Sequence, residues 1–257
     1  MSRLTITTLI IFIILNLLFS QIGFAQEKEE EIDASKPTNF YSFIDNTLEY
    51  QFRPSGGDVM GYRGNITFAP NDKHLVLGEV PLLYNNSTDY FGIGDVRVRY
   101  FYLPYKNYDK FFGAFGPSID VFVPTSDAKD GIGSGRLTVS PGLTGALMLA
   151  DWIQMFPVLS YQYISKSNSS TLPDSLNTES HGITFQVIMP VVFGEKFFMT
   201  ITPIFQMNDI GDERRDRYVQ EVMAQYALNP KLQLSAFGSG NFEDNLYVAR
   251  LGLVVYF

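Results

Sequence analysis

Six charged residues stand at spacings that could line a water-filled passage: Glu79, Asp95, Arg97, Arg99, Asp120 and Arg136. Successive side chains of a β-strand point to opposite faces, so Asp95, Arg97 and Arg99 in GDVRVRY share one face, and Val96, Val98 and Tyr100 share the other. A strand with one apolar and one charged face fits a barrel in lipid. A charge on the lipid side near mid-membrane costs roughly 2–4 kcal/mol, so the charges must turn inward. Folding Ile93–Pro104 against Phe111–Pro124 brings Arg97 close to Ser118 and Asp120. The preceding strand then sets Glu79 beside Arg97 and Arg99, with Asp95 and Arg136 toward the outer edge. Glu221, Phe237 and Arg250 are expected to share a depth on the opposite wall. Inward charges of this kind either select among solutes in a narrow pore or pair off and brace the barrel.

A second inward set is aromatic: Phe101, Phe112, Phe122, Trp152, Phe156, Phe198, Phe237 and Tyr256. Such rings would contact apolar or aromatic solutes, or simply pack the lumen. The loop Thr125–Gly135 (TSDAKDGIGSG) carries Asp127 and Asp130 among glycines. It lacks EF-hand spacing, so a solvated turn is expected and no metal site. No cofactor is expected either. There are no cysteines, and neither GxGxxG nor GxxxxGK[ST] is present. The two histidines, His74 and His181, fall at opposite rims, and GxSxG is absent, so the chain is read as no enzyme. An outer-membrane hydrolase acting through His181 is the weakest alternative. The net charge of -8 argues against a nucleic-acid partner.

The elements that must position these residues follow a period of two. In the last run Tyr247, Ala249, Leu251, Leu253, Val255 and Phe257 oppose Val248, Arg250, Gly252, Val254 and Tyr256. Twelve such runs are read near 46–53, 61–69, 74–84, 94–104, 111–123, 136–149, 152–164, 182–193, 196–207, 217–228, 231–239 and 246–257. Short connections alternate with longer polar ones, as in outer-membrane barrels. The fold class is therefore all-β, a transmembrane antiparallel up-and-down β-barrel of about twelve strands. A secreted β-sandwich would need polar outer faces, which these strands lack.

Residues 1–25 read as a secretory signal: Arg3, an apolar run from Leu9 to Phe19, and Gly23-Phe24-Ala25 before cleavage. Residues 26–45 form an acidic periplasmic leader that could also plug the mouth, and residues 46–257 form the barrel. An even strand number puts both termini on the periplasmic side of the bacterial outer membrane. The terminal Phe257, with apolar residues at every second position before it, resembles the signal read by the barrel assembly machinery.

Gly92-Ile93-Gly94-Asp95 opening a strand, and Val123-Pro124-Thr125 followed by Gly131-Ile132-Gly133-Ser134-Gly135, resemble two elements of a family of outer-membrane transporters. That family is named for the meta-pathway of phenol degradation. Ser126 stands where a glycine is common in it. The resemblance implies a barrel that passes small molecules, hydrophobic or aromatic ones included. The expected partners are thus outer-membrane lipid, the assembly machinery and a small-molecule solute. The leading expectation is a passive channel. The alternative is a structural or adhesive barrel with a closed lumen and binding loops, above all Lys166–His181.

Overall fold

The computed structural model describes residues 40–54, 57–169, 177–210 and 215–257. The expected signal segment and residues 26–39 of the leader lie outside the described residues. Among those described, the chain forms fourteen strands. They are β1 Phe43–Phe52, β2 Val59–Asn71, β3 His74–Asn85, β4 Tyr90–Ile93, β5 Val96–Tyr102, β6 Tyr105–Lys106 and β7 Phe112–Val123, followed by β8 Thr138–Ala150, β9 Ile153–Ile164, β10 Ser180–Val192, β11 Phe197–Asn208, β12 Arg215–Asn229, β13 Leu232–Asn241 and β14 Leu246–Tyr256. β1 begins at Phe43, three residues before the start read from sequence.

Twelve strands close into an antiparallel ring: β1, β2, β3, β5, β7, then β8 to β14 in order, with β14 paired back onto β1. No edge is left open, so the backbone polar groups of the wall are satisfied within it, as lipid requires. The outside carries Leu48, Ile66, Leu143, Leu159, Phe205 and Leu251, all exposed. A barrel in water would not present such a belt; hydrocarbon would cover it. Aromatic clusters flank the belt. At the short-turn rim His74 stacks on Tyr102 at 4.7 Å and its Nδ1 lies 2.7 Å from the Tyr100 hydroxyl. At the long-loop rim His181 Nδ1 lies 2.5 Å from the Tyr161 hydroxyl. Both histidines therefore belong to the outward aromatic bands.

The two extra strands come from breaks in the alternating pattern. β4 pairs the top of β3, from Leu82↔Ile93 to Asn85↔Tyr90, and β5 pairs its lower half, from Glu79↔Arg97 to His74↔Tyr102. Gly94 and Asp95 separate them. β6 follows Pro104 and pairs β7 at Tyr105↔Phe115. The close approach of the end of β5 before this break requires Gly116, where a Cβ would lie 1.8 Å from the Tyr102 carbonyl oxygen.

Both connections of β7 fold into the barrel. At the short-turn end Leu103, Ala114 and Ala146 form a buried cluster against which Phe40, Tyr108 and Phe156 pack. Lys106 Nζ sits 5.1 Å from the Phe40 ring and 5.1 Å from the Tyr108 ring. Burial pushes the Tyr108 hydroxyl pKa above its ordinary range. At the long-loop end the segment after β7 turns inward, and Ile132 is buried between Val59 and Leu83.

Candidate functional site: the lumen

The lumen is built by the inward residues of each strand, and its charge is concentrated on one side. Glu49 on β1 has a side chain that is 0% exposed. It accepts from Arg63 Nε and Nη2 on β2 and from Gln51 Nε2, and Arg250 Nε on β14 lies 2.7 Å from its Oε2. Arg63 Nη1 also pairs with Glu79 on β3. A second group follows on β5 and β7. Arg97 donates to both Asp120 oxygens, Nε to Oδ1 at 2.9 Å and Nη2 to Oδ2 at 2.6 Å. Arg99 brings Nε and Nη2 to the same Oδ2 at 2.9 and 2.5 Å. Charged hydrogen bonds of this kind are the strong ones, and the buried carboxylates depend on them.

Every one of these pairs joins strands that are neighbours in the wall. They run around the barrel rather than across it, so the charged network leaves the lumen unbridged. Three inward phenylalanines serve the same wall. The Arg97 guanidinium lies 4.8 Å from the Phe122 ring centre, Arg99 5.7 Å from Phe101, and Arg250 4.5 Å from Phe237. Each ring is a platform that orients a guanidinium, an attraction of roughly 0.5–2 kcal/mol.

The inward residues of β8 to β11 that line the lumen are neutral, and β12 adds Glu221 and, toward the long loops, Arg217. Ser140, the register partner of Asp120, together with Ser160, Gln162, Thr184 and Gln186 on the strands beyond it, lines a mid-lumen cavity of about 190 Å³ shared with Arg97, Arg99 and Asp120. Glu221 on β12 lines the same cavity. A second cavity of about 350 Å³ lies toward the long loops and is lined by Arg63, Asp95, Ile132, Ser134 and Arg217 among others. Phe122, Gln162 and Gln206 border both, so the two cavities adjoin.

The inward loop is latched at several points. Asp95 accepts from Ser126 Oγ at 2.9 Å and from Ser134 N and Oγ at 2.5 and 2.7 Å. Arg53 Nη1 and Asn85 Nδ2 both donate to the Gly131 carbonyl, at 2.6 and 3.1 Å. Gly133 lies against the same carboxylate; a Cβ there would be 1.9 Å from Ser126 Oγ. The Gly-rich stretch thus lets a loop seat against Asp95 inside the mouth. Asp127 is occupied within its own turn, 3.0 Å from the Lys129 amide and 3.2 Å from its Nζ, contacts that hold its carboxyl below the usual range. No group of metal-ligating side chains is found among the described residues.

Glu79, Arg97, Arg99 and Asp120 come together in the wall. Asp95 sits above them as a loop latch. Arg136 lies at the rim, where its Nη1 donates to the Thr178 carbonyl at 3.1 Å. Glu221 faces the cavity; Phe237 on β13 and Arg250 on β14 are paired in register one inward step from its depth, and Arg250 also joins Glu49 on β1 in the charged network. Phe101, Phe122, Phe156, Phe198, Phe237 and Tyr256 are inward. Two aromatics are not. Trp152 lies in the β8–β9 turn and is 58% exposed, because β9 starts only at Ile153. Phe112 points outward and stacks on Tyr105, because the register shift between Phe112 and Ala114 reverses the alternation there. Glu49 and Arg63 escaped the sequence reading. Their signal was present in LEYQF and GYRGN, single charges at inward parity in apolar runs.

No protein-family model matches the chain, and no curated protein matches it. Solved structures do match in fold. NanC porin aligns with a TM-score of 0.62 at 11% identity, over 83% of this chain and 99% of that one. An outer membrane channel from Pseudomonas putida F1 aligns with a TM-score of 0.57 at 13% identity, over 91% and 100%. KdgM porin in complex with disordered oligogalacturonate aligns with a TM-score of 0.52 at 14% identity, over 84% and 99%. At these identities the likeness establishes the fold alone, a closed antiparallel β-barrel of the kind seen in those proteins.

Proposed function

We propose that this chain is a channel of the bacterial outer membrane through which a small solute passes without energy coupling. The observation that carries the reading is the lateral arrangement of the charged network: ion pairs between neighbouring strands line two adjoining cavities and leave them unspanned. The apolar outer belt and the porin and channel architecture support the location. Both termini on the short-turn, periplasmic side and recognition of Phe257 by the assembly machinery complete the proposal. The likeness of the Gly92–Asp95 and Val123–Gly135 elements to the phenol meta-pathway transporters supports a hydrophobic or aromatic solute. The stacking of Arg97, Arg99 and Arg250 on inward phenylalanines favours a polar one, since those rings already have partners.

The cluster of Phe40, Tyr108 and Phe156 at the short-turn end favours a second reading, a barrel closed at its base whose outer loops bind. Purified protein in planar bilayers and in liposome swelling separates the two. The channel reading expects ion conductance and solute entry. Neither conductance nor swelling would overturn it in favour of the closed barrel.

A further inference from the structure

The charged groups of the mid-lumen cavity are unequally divided between its sides. Arg97 and Arg99 share the single carboxylate of Asp120 on β5 and β7, while Glu221 projects from β12. Among the described residues, the Glu221 carboxylate has no hydrogen bond or ion pair. β5 and β12 are six places apart in the ring of twelve, so they face each other across the diameter. Glu79 is the register partner of Arg97 but is ion-paired to Arg63, and Glu49 is ion-paired to Arg63 and Arg250, so that network of two carboxylates and two guanidiniums balances and one positive charge of Arg97 and Arg99 remains in surplus. Asp45, also inward and 3.1 Å from the Ser235 hydroxyl, stands on β1, a quarter-turn from both β5 and β12. It therefore biases neither side.

A positive surplus facing a lone carboxylate sets a field across the cavity. In a narrow lumen with low-dielectric walls such a field is screened less than in bulk water. A simple anion or cation gains on one side and loses on the other, and a neutral solute gains little. A solute with a carboxylate at one end and an ammonium at the other gains at both. The Ser140, Ser160 and Gln162 side chains offer neutral donors and acceptors between the two poles. We propose that this cavity is a subsite for a small zwitterionic solute, its carboxylate toward Arg97 and Arg99 and its ammonium toward Glu221. The inference rests on the channel reading and adds a solute class to it.

The test is liposome swelling with γ-aminobutyrate against γ-hydroxybutyramide, which has the same number of heavy atoms and no charge. Wild-type protein should admit the zwitterion at least about threefold faster, as a charge-lined constriction would. Glu221→Gln, near-isosteric and checked for folding by heat-modifiable gel migration, should bring the ratio close to one, and Glu221→Asp should retain the preference. Equal rates in wild type, or an unchanged preference in Glu221→Gln, would overturn the subsite while leaving the channel standing. If neither solute enters and no ion current flows, the channel reading itself fails.

Discussion

The wall formed by β14, β1, β2, β3, β5 and β7 turns carboxylates and guanidiniums inward, whereas β8 to β11 turn hydroxyls and amides inward. Both walls must be polar, because they face the lumen. They reach polarity at different energetic stakes. On the charged wall Glu49, Glu79 and Asp120 are held by guanidiniums from adjacent strands, so losing one partner leaves a charge unpaired and costs about 3–5 kcal/mol. On the neutral wall a serine or glutamine bordering a hydrated cavity can exchange its partner for water, and its loss costs about 1 kcal/mol or less. The contrast teaches that a narrow barrel need not close in order to satisfy its inward charges. Lateral pairing satisfies them without an ion pair across the lumen among the described residues.

The largest expected effect comes from breaking the charged wall at its most enclosed point. Glu49→Ala strands Arg250 and leaves Arg63 with Glu79 alone, and should lower stability by about 3–5 kcal/mol, read as the urea midpoint of the refolded barrel in detergent. Ser160→Ala on the facing wall is the matched control and should shift that midpoint by less than about 1 kcal/mol.

Phe40→Ala combined with Tyr108→Ala empties the short-turn cluster, and single-channel conductance should rise. Unchanged conductance would mean that the cluster lies beside the route rather than in it. A smaller change is expected at the other mouth. Gly133→Val forces a side chain onto Ser126 and Asp95, which must displace the latched loop and alter open-channel noise. Trp152→Ala should do least, since the ring sits outside the lumen in a turn; conductance and ion selectivity should match wild type.

Most of the wall was legible in the sequence because a period of two leaves little freedom. β7, read as 111–123, runs Phe112–Val123, and β14, read as 246–257, runs Leu246–Tyr256. The pairing of Arg97 and Arg99 with Asp120 followed from folding one hairpin about a short turn. Failures arose where that regularity stops. A register shift reversed Phe112, and a turn claimed Trp152. β4 and β6 are short pieces set off by Gly94-Asp95 and by Pro104, which interrupt a strand without changing its apparent alternation. The inward course of the loop at Ile132 is a long-range fact. It depends on Asn85, Arg53 and Asp95 meeting backbone groups more than thirty residues away, and no local pattern encodes that meeting.

On the proposed function the charged wall lines the solute path and sets what crosses it. Reversal potentials across a planar bilayer in a KCl gradient, for wild type and for Asp120→Asn, test this most directly. Removing the shared carboxylate should shift the reversal potential toward anion preference, and the shift should shrink as salt rises, since such charges are screened over about 10 Å at 0.1 M. An open channel whose reversal potential is the same in both proteins would contradict the account.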